Sequence, residues 1–270
     1  MPGLHDYHTH SYLCGHGAGL PAEYAAQAAR SGLDEIGISE HIPLYWLPEA
    51  ERDPELAMRM DQLPQYFDLV EAARATVPTL PIRLGLEADY IPGHEAALAT
   101  ILQAHPWDYV YGAVHFIGAW GMDDPRYTAE YNRRDIDALY AEYFALVEAA
   151  ARTGLFDIMA HLDLVKKFGH RATRDLTALY ARVAQTMAAT GVCVEINTAG
   201  LLKPVGEIYP QPALLRALHA AGVPVTLGSD AHQPELVGYA FAAAVRLLRE
   251  VGYDCVWRFA GRQRYPVPLP

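Results

Sequence analysis

The feature that most constrains the fold is a regular alternation of short apolar runs with longer amphipathic runs. Seven runs have the length and composition of buried strands: 3–7, 35–39, 82–87, 109–114, 156–160, 192–196 and 224–228. Seven segments show apolar residues at helical spacing: near 21–31, 55–76, 93–103, 134–153, 173–190, 211–221 and 234–250. Strands that alternate with helices predict βα units and a parallel sheet, and nearly continuous apolar strands indicate burial on both faces.

A closed barrel and an open, doubly wound sheet both fit this alternation. No GxGxxG motif follows the first strand, where the chain instead reads HTH, and this weakens the dinucleotide-binding version of the open sheet. We therefore expect a barrel of seven or eight strands. The chain has no low-complexity stretch, fixed-period repeat or linker, so we expect residues 1–270 to form a single domain.

Polar residues interrupt the apolar pattern at one kind of place, the C-terminal end of a predicted strand. In a barrel these ends meet at one mouth, where active sites are built. The residues at these ends are His8, His10, Glu40, His41, Glu87, His115, His161, Asp230 and His232. We therefore expect residues far apart in the sequence to meet in one pocket.

Imidazole and carboxylate side chains are the ligands that suit Zn, Fe and Mn. His8 and His10 project from one face of an extended segment, and Asp230 and His232 repeat that spacing. With His16 added and Glu40 left out, the candidate metal ligands are His8, His10, His16, His41, Glu87, His115, His161, Asp230 and His232. A catalytic zinc ion needs only three or four protein ligands, so nine donors predict two or three ions.

The net charge of −11 argues against nucleic acid as the main partner, although it permits a small anionic substrate. No apolar run approaches the length of a membrane span, and the first 20 residues do not resemble a secretion signal. The three cysteines have no CxxC spacing, which favours a reducing, cytoplasmic setting. These observations leave the oligomeric state open.

Three basic residues are candidates for binding a substrate phosphate. Arg133 and Arg134 open the helix predicted near 134–153, and Lys203 follows the sixth strand, whose end carries no histidine. We expect His5 and His170 to lie at the surface or in loops, and Cys14 to be a small buried thiol.

Several motifs together resemble the PHP (polymerase and histidinol phosphatase) superfamily, in particular its histidinol-phosphatase branch. They are HTH at 8–10, SEH at 39–41, LGLEADYIPG at 84–93, VHF at 114–116, AHLDLVKKFG at 160–169, EINTAGLLKPVGEIYP at 195–210 and TLGSDAH at 226–232. The resemblance spans about residues 4–250. It implies a distorted (β/α)7 TIM-like barrel and hydrolysis of L-histidinol phosphate in histidine biosynthesis.

The resemblance also implies a site for three divalent ions, of Zn, Fe, Mn or Co. It assigns ligands to the ions in three sets: His8, His10, Glu87 and Asp230; His16, His41 and His232; Glu87, His115 and His161. Asp230 and His232 are in addition candidates for managing the proton of the leaving alkoxide. Another PHP phosphoesterase (a nuclease or nucleotidase) and an amidohydrolase-type deacylase remain alternatives. A protein in which metals only stabilise the fold is a further alternative.

Overall fold

The computed structural model describes residues 3–270, which contain strands β1–β11 and helices α1–α7. The strands are β1 (His5–Asp6), β2 (Glu35–Ile38), β3 (Ile82–Asp89), β4 (Tyr109–Ala113), β5 (Phe116–Ile117), β6 (Trp120–Gly121), β7 (Ile158–Met159), β8 (Cys193–Asn197), β9 (Val225–Gly228), β10 (Cys255–Ala260) and β11 (Gln263–Pro268). The helices are α1 (Pro21–Arg30), α2 (Leu63–Thr76), α3 (Glu95–Gln103), α4 (Ile136–Arg152), α5 (Thr177–Thr190), α6 (Pro212–Ala220) and α7 (Phe241–Val251).

Seven parallel strands form a sheet in the order β1-β2-β3-β4-β7-β8-β9. The two edges of this sheet meet, because the backbone N–H of Tyr7 donates to the carbonyl of Leu227 at 3.2 Å. The N–H of His10 likewise donates to the carbonyl of Ala231 at 2.8 Å. The strands therefore enclose a nearly closed barrel, and the prediction of a seven-stranded TIM-like fold is confirmed.

The helices cover the barrel with apolar faces that the sequence spacing predicts. In α4, Leu139, Tyr143 and Val147 are all buried, at intervals of four residues. The helix begins after Asp135, whose carboxylate accepts a hydrogen bond from the N–H of Ala138. Local capping and the apolar stripe thus position the same helix.

Tyrosine rings fill the lower part of the barrel, and glycines make room for them. A Cβ atom on Gly37 would lie 2.0 Å from the Tyr109 hydroxyl, and one on Gly85 would lie 2.3 Å from the same ring. The ring of Tyr7 stacks on that of Tyr109 at 4.8 Å. The barrel interior is therefore packed below the site, and the open space lies at the other end.

The C-terminal hairpin of β10 and β11 was not among the predicted elements. It covers the N-terminal ends of the strands, where the Phe259 ring packs against Tyr7 and Tyr109. The N–H of Gly261 donates to the Asp108 carboxylate, which directly precedes β4. The hairpin thus forms the floor of the barrel.

Three predicted helices begin too early. The predictions for 55–76, 173–190 and 234–250 start before α2, α5 and α7 begin, and 3-10 turns occupy 60–62 and 234–236. The prediction that His5 lies at the surface or in a loop is wrong. His5 is fully buried in β1, and its Nε2 lies 2.7 Å from the Thr226 hydroxyl. No helix within residues 3–270 has both the length and the apolar character needed to cross a membrane.

Candidate metal centre

The nine side chains predicted as metal ligands meet at the mouth of the barrel, around the carboxylate of Glu87. This residue lies in β3, beside His41 in parallel pairing. One oxygen, Oε1, lies 2.9 Å from His161 Nε2. The other, Oε2, lies 2.8 Å from His41 Nδ1 and 3.4 Å from His8 Nε2.

Two further imidazoles approach the same carboxylate. His10 Nε2 lies 3.6 Å from Glu87 Oε2, and His115 Nε2 lies 3.6 Å from Oε1. Each oxygen of Glu87 therefore faces different imidazoles. This is the arrangement expected of a carboxylate that bridges neighbouring cations.

Asp230 forms the opposite wall of the site. Its Oδ1 lies 3.4 Å from His10 Nε2, 3.7 Å from His8 Nε2 and 3.6 Å from His232 Nδ1. Asp230 has φ +53°, and His161 across the site has φ +22°. Backbones in the left-handed region cost free energy for such residues, and their occurrence at a cluster of polar groups is typical of functional sites.

His16 reaches the site from a loop that follows β1. Its Nδ1 lies 2.8 Å from the carbonyl of Glu55, and its ring centroid lies 4.7 Å from that of His232. Cys14 lies beside them and is fully buried, as predicted, and burial raises the pKa of its thiol to about 12. The loop around His16 therefore completes the cluster from outside the strands.

The donor atoms fit divalent cations. Several buried atoms form no hydrogen bond of acceptable distance and angle within residues 3–270: His8 Nε2, both nitrogens of His10, Glu87 Oε2, His161 Nδ1 and His232 Nε2. Buried polar atoms without partners are costly. Two ligands on one tetrahedral zinc, each bonded at about 2.1 Å, lie about 3.4 Å apart, close to most of the separations above.

The geometry groups these donors into overlapping sets of three, in which the ligand atoms lie within 4.8 Å of one another. The sets are His10, His41 and His232; Cys14, His16 and His232; His8, His10 and Asp230; His8, Glu87 and His161; His41, Glu87 and His115. Each predicted ligand belongs to at least one set. The arrangement can therefore hold more than one ion.

At four of the candidate ligands, charge and burial favour the protonation state that binds a metal. Burial raises the pKa values of Asp230 and Glu87, but the surrounding imidazoles lower them by more than burial raises them. Both pKa values therefore fall well below the ordinary range. Burial and neighbouring imidazoles lower the pKa of His10, and burial lowers that of His232 to about 3. Unprotonated imidazoles and ionised carboxylates are the forms that bind metals.

Two carboxylates that were not predicted from the sequence accept hydrogen bonds from the candidate ligands. Glu195 Oε1 accepts a hydrogen bond from His8 Nδ1 at 2.6 Å, and its Oε2 accepts from the backbone N–H of His161 at 2.8 Å. Asp89 Oδ1 accepts from His115 Nδ1 at 2.8 Å. Such partners orient metal-binding imidazoles. A signal was present for Glu195, because it is an acidic residue inside the apolar run 192–196.

Burial lowers the pKa of His8, but the carboxylates of Glu195, Glu87 and Asp230 raise it more, to well above the ordinary value. Burial likewise lowers that of His115, while Asp89 and other acids bring it to about 10. A cation in the site would compete with these protons.

The cluster opens into a cavity of about 1390 Å³ that the three predicted phosphate-binding residues also line. Arg133 is largely exposed, with a guanidinium nitrogen 3.3 Å from Glu130. Arg134 also contacts Glu130 at 3.3 Å, and its guanidinium lies 4.7 Å from the Trp120 ring centroid. Lys203 is exposed and forms no ion pair within residues 3–270.

A further basic residue of the cavity was not singled out from the sequence. Lys167 Nζ lies 2.7 Å from the carbonyl oxygen and 3.1 Å from the carboxylate of Asp123, which also lines the cavity. The adjacent Lys166 is buried instead, paired with Asp163 at 2.9 Å. The cavity therefore presents both signs of charge near the donor cluster.

Comparisons with known proteins agree with this geometry. The family model described as "PHP domain" matches residues 6–199. A protein of Deinococcus radiodurans named "Probable histidinol-phosphatase" is 47% identical over 93% of this chain and 95% of its own length. The "Histidinol-phosphatase" of Bacillus subtilis is 28% identical over 88% of this chain and 97% of its own length.

A solved structure has the same fold. It is the histidinol phosphate phosphatase of Lactococcus lactis, described as complexed with zinc, L-histidinol and phosphate. It superposes with a TM-score of 0.84 over 98% of this chain and 100% of its own, at 23% sequence identity.

Proposed function

The chain belongs to the PHP domain family, and we propose that it is a histidinol-phosphatase, which hydrolyses L-histidinol phosphate to L-histidinol and phosphate in histidine biosynthesis. The observation that carries this proposal is the cavity lined by overlapping sets of metal donors, two of which share Glu87. The proposed substrate is taken from the name of the relative from Deinococcus radiodurans, which is 47% identical along nearly the whole chain. The residues present suit a metal-dependent phosphoric monoester hydrolase.

We propose that three divalent ions (Zn, Fe, Mn or Co) bind in this cluster. The proposed ligand sets are His8, His10, Glu87 and Asp230; His16, His41 and His232; Glu87, His115 and His161. The short separations between Glu87 and imidazoles of all three sets support a bridging role for its carboxylate. Ions in such sites provide Lewis acidity and make bound water more acidic.

The chain's own residues bind and orient the substrate beside this cluster. Arg133, Arg134 and Lys203 are proposed to hold the phosphate end, and the free ammonium of Lys203 is the one without a competing carboxylate among the described residues. Asp230 and His232 are proposed to direct a proton to the departing alkoxide. Both line the cavity, and His232 Nδ1 lies 3.6 Å from Asp230 Oδ1.

The remaining proposals concern the context of the enzyme. We propose that residues 1–270 act as one catalytic domain, because the apolar core extends from Leu4 to Val256; residues 1 and 2 lie outside the described part. Cys14, Cys193 and Cys255 are free thiols, which supports the expected cytoplasmic setting. The expected partner is a small phosphate monoester, not nucleic acid or a membrane.

A substrate panel tests the function. We expect kcat/KM for histidinol phosphate to exceed that for a simple aryl phosphate by about a hundredfold, because contacts to the amine and imidazole orient the phosphoryl group. Equal values for these two substrates would reduce the proposal to a general phosphatase. Faster cleavage of a short oligonucleotide would place the protein with the nucleases of the family.

A further inference from the structure

The side chain of Tyr209 has a feature that the site described above does not explain. Tyr209 lines the metal-site cavity and is only 1% exposed, yet its hydroxyl finds no hydrogen-bond partner within residues 3–270. Leaving a buried hydroxyl unpaired costs about 1–3 kcal/mol. Such a group beside an active-site cavity is expected to find its partner in a bound molecule.

The backbone of Tyr209 is fixed at the end of β8. Its N–H donates to the carbonyl of Asn197 at 2.9 Å, and the N–H of Asn197 donates back at 2.8 Å. Gly200 packs on the ring, because a Cβ atom there would lie 2.8 Å from Tyr209 Cε2 and 2.0 Å from the carbonyl of Glu207. A larger residue at Gly200 would displace the ring.

A buried cation holds the ring from another side. Lys166 Nζ lies 5.2 Å from the Tyr209 ring centroid, and it is itself paired with Asp163 at 2.9 Å and with Glu207 at 3.1 Å. The hydroxyl is therefore presented by a rigid ring. A donor fixed in advance costs little reorganisation when charge develops on a bound group.

The ring of Tyr209 also lies close to the candidate metal centre. The ring of Tyr209 meets that of His161 edge-on, with centroids 6.5 Å apart. Burial raises the pKa of Tyr209 well above its ordinary value, and the carboxylates of Asp163, Asp230 and Asp123 raise it further. A neutral phenol carries one O–H group, which can donate a hydrogen bond to a bound oxygen.

We propose that the Tyr209 hydroxyl donates a hydrogen bond to a non-bridging oxygen of the substrate's phosphoryl group, and that Tyr209 is thus a further catalytic residue. This inference rests on the proposed function, since it needs a phosphate monoester in the cavity. Phosphoryl transfer spreads negative charge over the three non-bridging oxygens, so a neutral donor there stabilises the transition state. No proton leaves the tyrosine in this role.

The test is Tyr209→Phe in the metal-loaded enzyme, with Tyr253→Phe as the matched control. The Tyr253 hydroxyl donates to the carbonyl of Val223 at 3.1 Å, away from the cavity. We expect kcat/KM of Tyr209→Phe to fall about ten- to a hundredfold for both histidinol phosphate and p-nitrophenyl phosphate. Competitive inhibition by inorganic phosphate should weaken as well, and Tyr253→Phe should keep the wild-type values.

Metal content and thermal midpoint separate this role from a structural one. Metal content should be retained in Tyr209→Phe, and the thermal midpoint should be retained or rise, because phenylalanine keeps the ring, breaks no hydrogen bond within the described chain and removes an unpaired buried hydroxyl. Loss of metal would overturn the proposal in favour of a structural role. Fluorotyrosine placed at position 209 gives a second measurement, and its fluorine resonance should shift when inorganic phosphate is added.

Other outcomes are equally decisive. Unchanged kinetics and unchanged phosphate inhibition in Tyr209→Phe would refute the contact. The alkoxide of histidinol phosphate is a poorer leaving group than p-nitrophenolate. A fall in kcat/KM confined to histidinol phosphate would indicate a hydrogen bond to the leaving oxygen and would overturn the assignment. If the wild-type enzyme hydrolysed only p-nitrophenyl phosphate, the proposed substrate would be wrong, while the effect of Tyr209→Phe could still be measured on that ester.

Discussion

Replacing Glu195 with glutamine should weaken metal binding although Glu195 belongs to no proposed ligand set. Its carboxylate accepts hydrogen bonds from His8 Nδ1 at 2.6 Å, from the backbone N–H of His161 at 2.8 Å and from the Asn197 amide at 3.0 Å. All three partners are donors. Glutamine has the same shape, but its amide nitrogen must face at least one of these donors and cannot accept from it.

The expected magnitude follows from that one lost hydrogen bond. A hydrogen bond to a charged group contributes about 1.5–3 kcal/mol, which corresponds to roughly ten- to a hundredfold in an equilibrium constant. Substituting a group that hydrogen-bonds to a metal-binding imidazole typically lowers metal affinity by about the same factor. We therefore expect Glu195→Gln to bind metal about ten- to a hundredfold more weakly.

The assay is competition for metal against a chromophoric chelator, with the unfolding midpoint of the metal-free protein measured in parallel. Glu148→Gln is the matched control, because Glu148 is also a buried carboxylate and accepts from Thr186 at 2.8 Å and from Arg182 at 3.0 Å. Glu148 lies in α4 and faces α5, away from the cluster. Both variants should lose stability, and only Glu195→Gln should lose metal affinity.

Two results would refute this reasoning. Wild-type metal affinity in a folded Glu195→Gln protein would show that the hydrogen bonds to His8 and His161 do not tune the site. An equal loss of affinity in Glu148→Gln would show that the effect follows general destabilisation.

Four further outcomes are expected. Glu87→Ala should lose more metal per chain than His16→Ala, because Glu87 approaches five imidazoles, and equal metal contents would count against bridging. Exhaustive chelation should abolish hydrolysis, and Mn, Co, Zn or Fe should restore it to differing extents; activity in verified metal-free protein would contradict this. Phe259→Ala should lower the unfolding free energy by about 3–5 kcal/mol, measured by denaturant titration, while kcat/KM stays near the wild-type value. Gly228→Ala should reduce metal content, because its Cβ would lie 2.0 Å from Glu195 Oε1; an unchanged content would show that the carboxylate can move aside.

The meeting of the donors other than His16 could be predicted because the rule that brings them together is topological. Once strands alternate with helices and run parallel, their C-terminal ends converge whatever the separation in sequence. Glu87 and His41 come from different βα units, yet parallel pairing sets them side by side. Period-two spacing likewise puts His8 and His10 on one side of the chain.

What could not be predicted depends on partners that no local pattern specifies. His5 can be buried because its imidazole hydrogen-bonds inside the barrel with the hydroxyl of Thr226, which lies 221 residues away in the chain. The role of Glu195 depends on Gly228 leaving space for its carboxylate on the adjacent strand. The starts of α2 and α7 were missed because 3-10 turns precede these helices, and apolar spacing does not distinguish such a turn from the helix itself.

The hairpin floor has a consequence for how this enzyme can change over evolutionary time. The packing of Phe259 on Tyr7 and Tyr109 lies at one end of the barrel, and the donor cluster lies at the other. Substitutions in the hairpin can therefore alter thermal tolerance while catalysis stays under separate selection. Where these properties share residues, gains in one commonly cost the other. In a lineage that enters a hotter or colder habitat, the hairpin floor can change without changing the donor cluster.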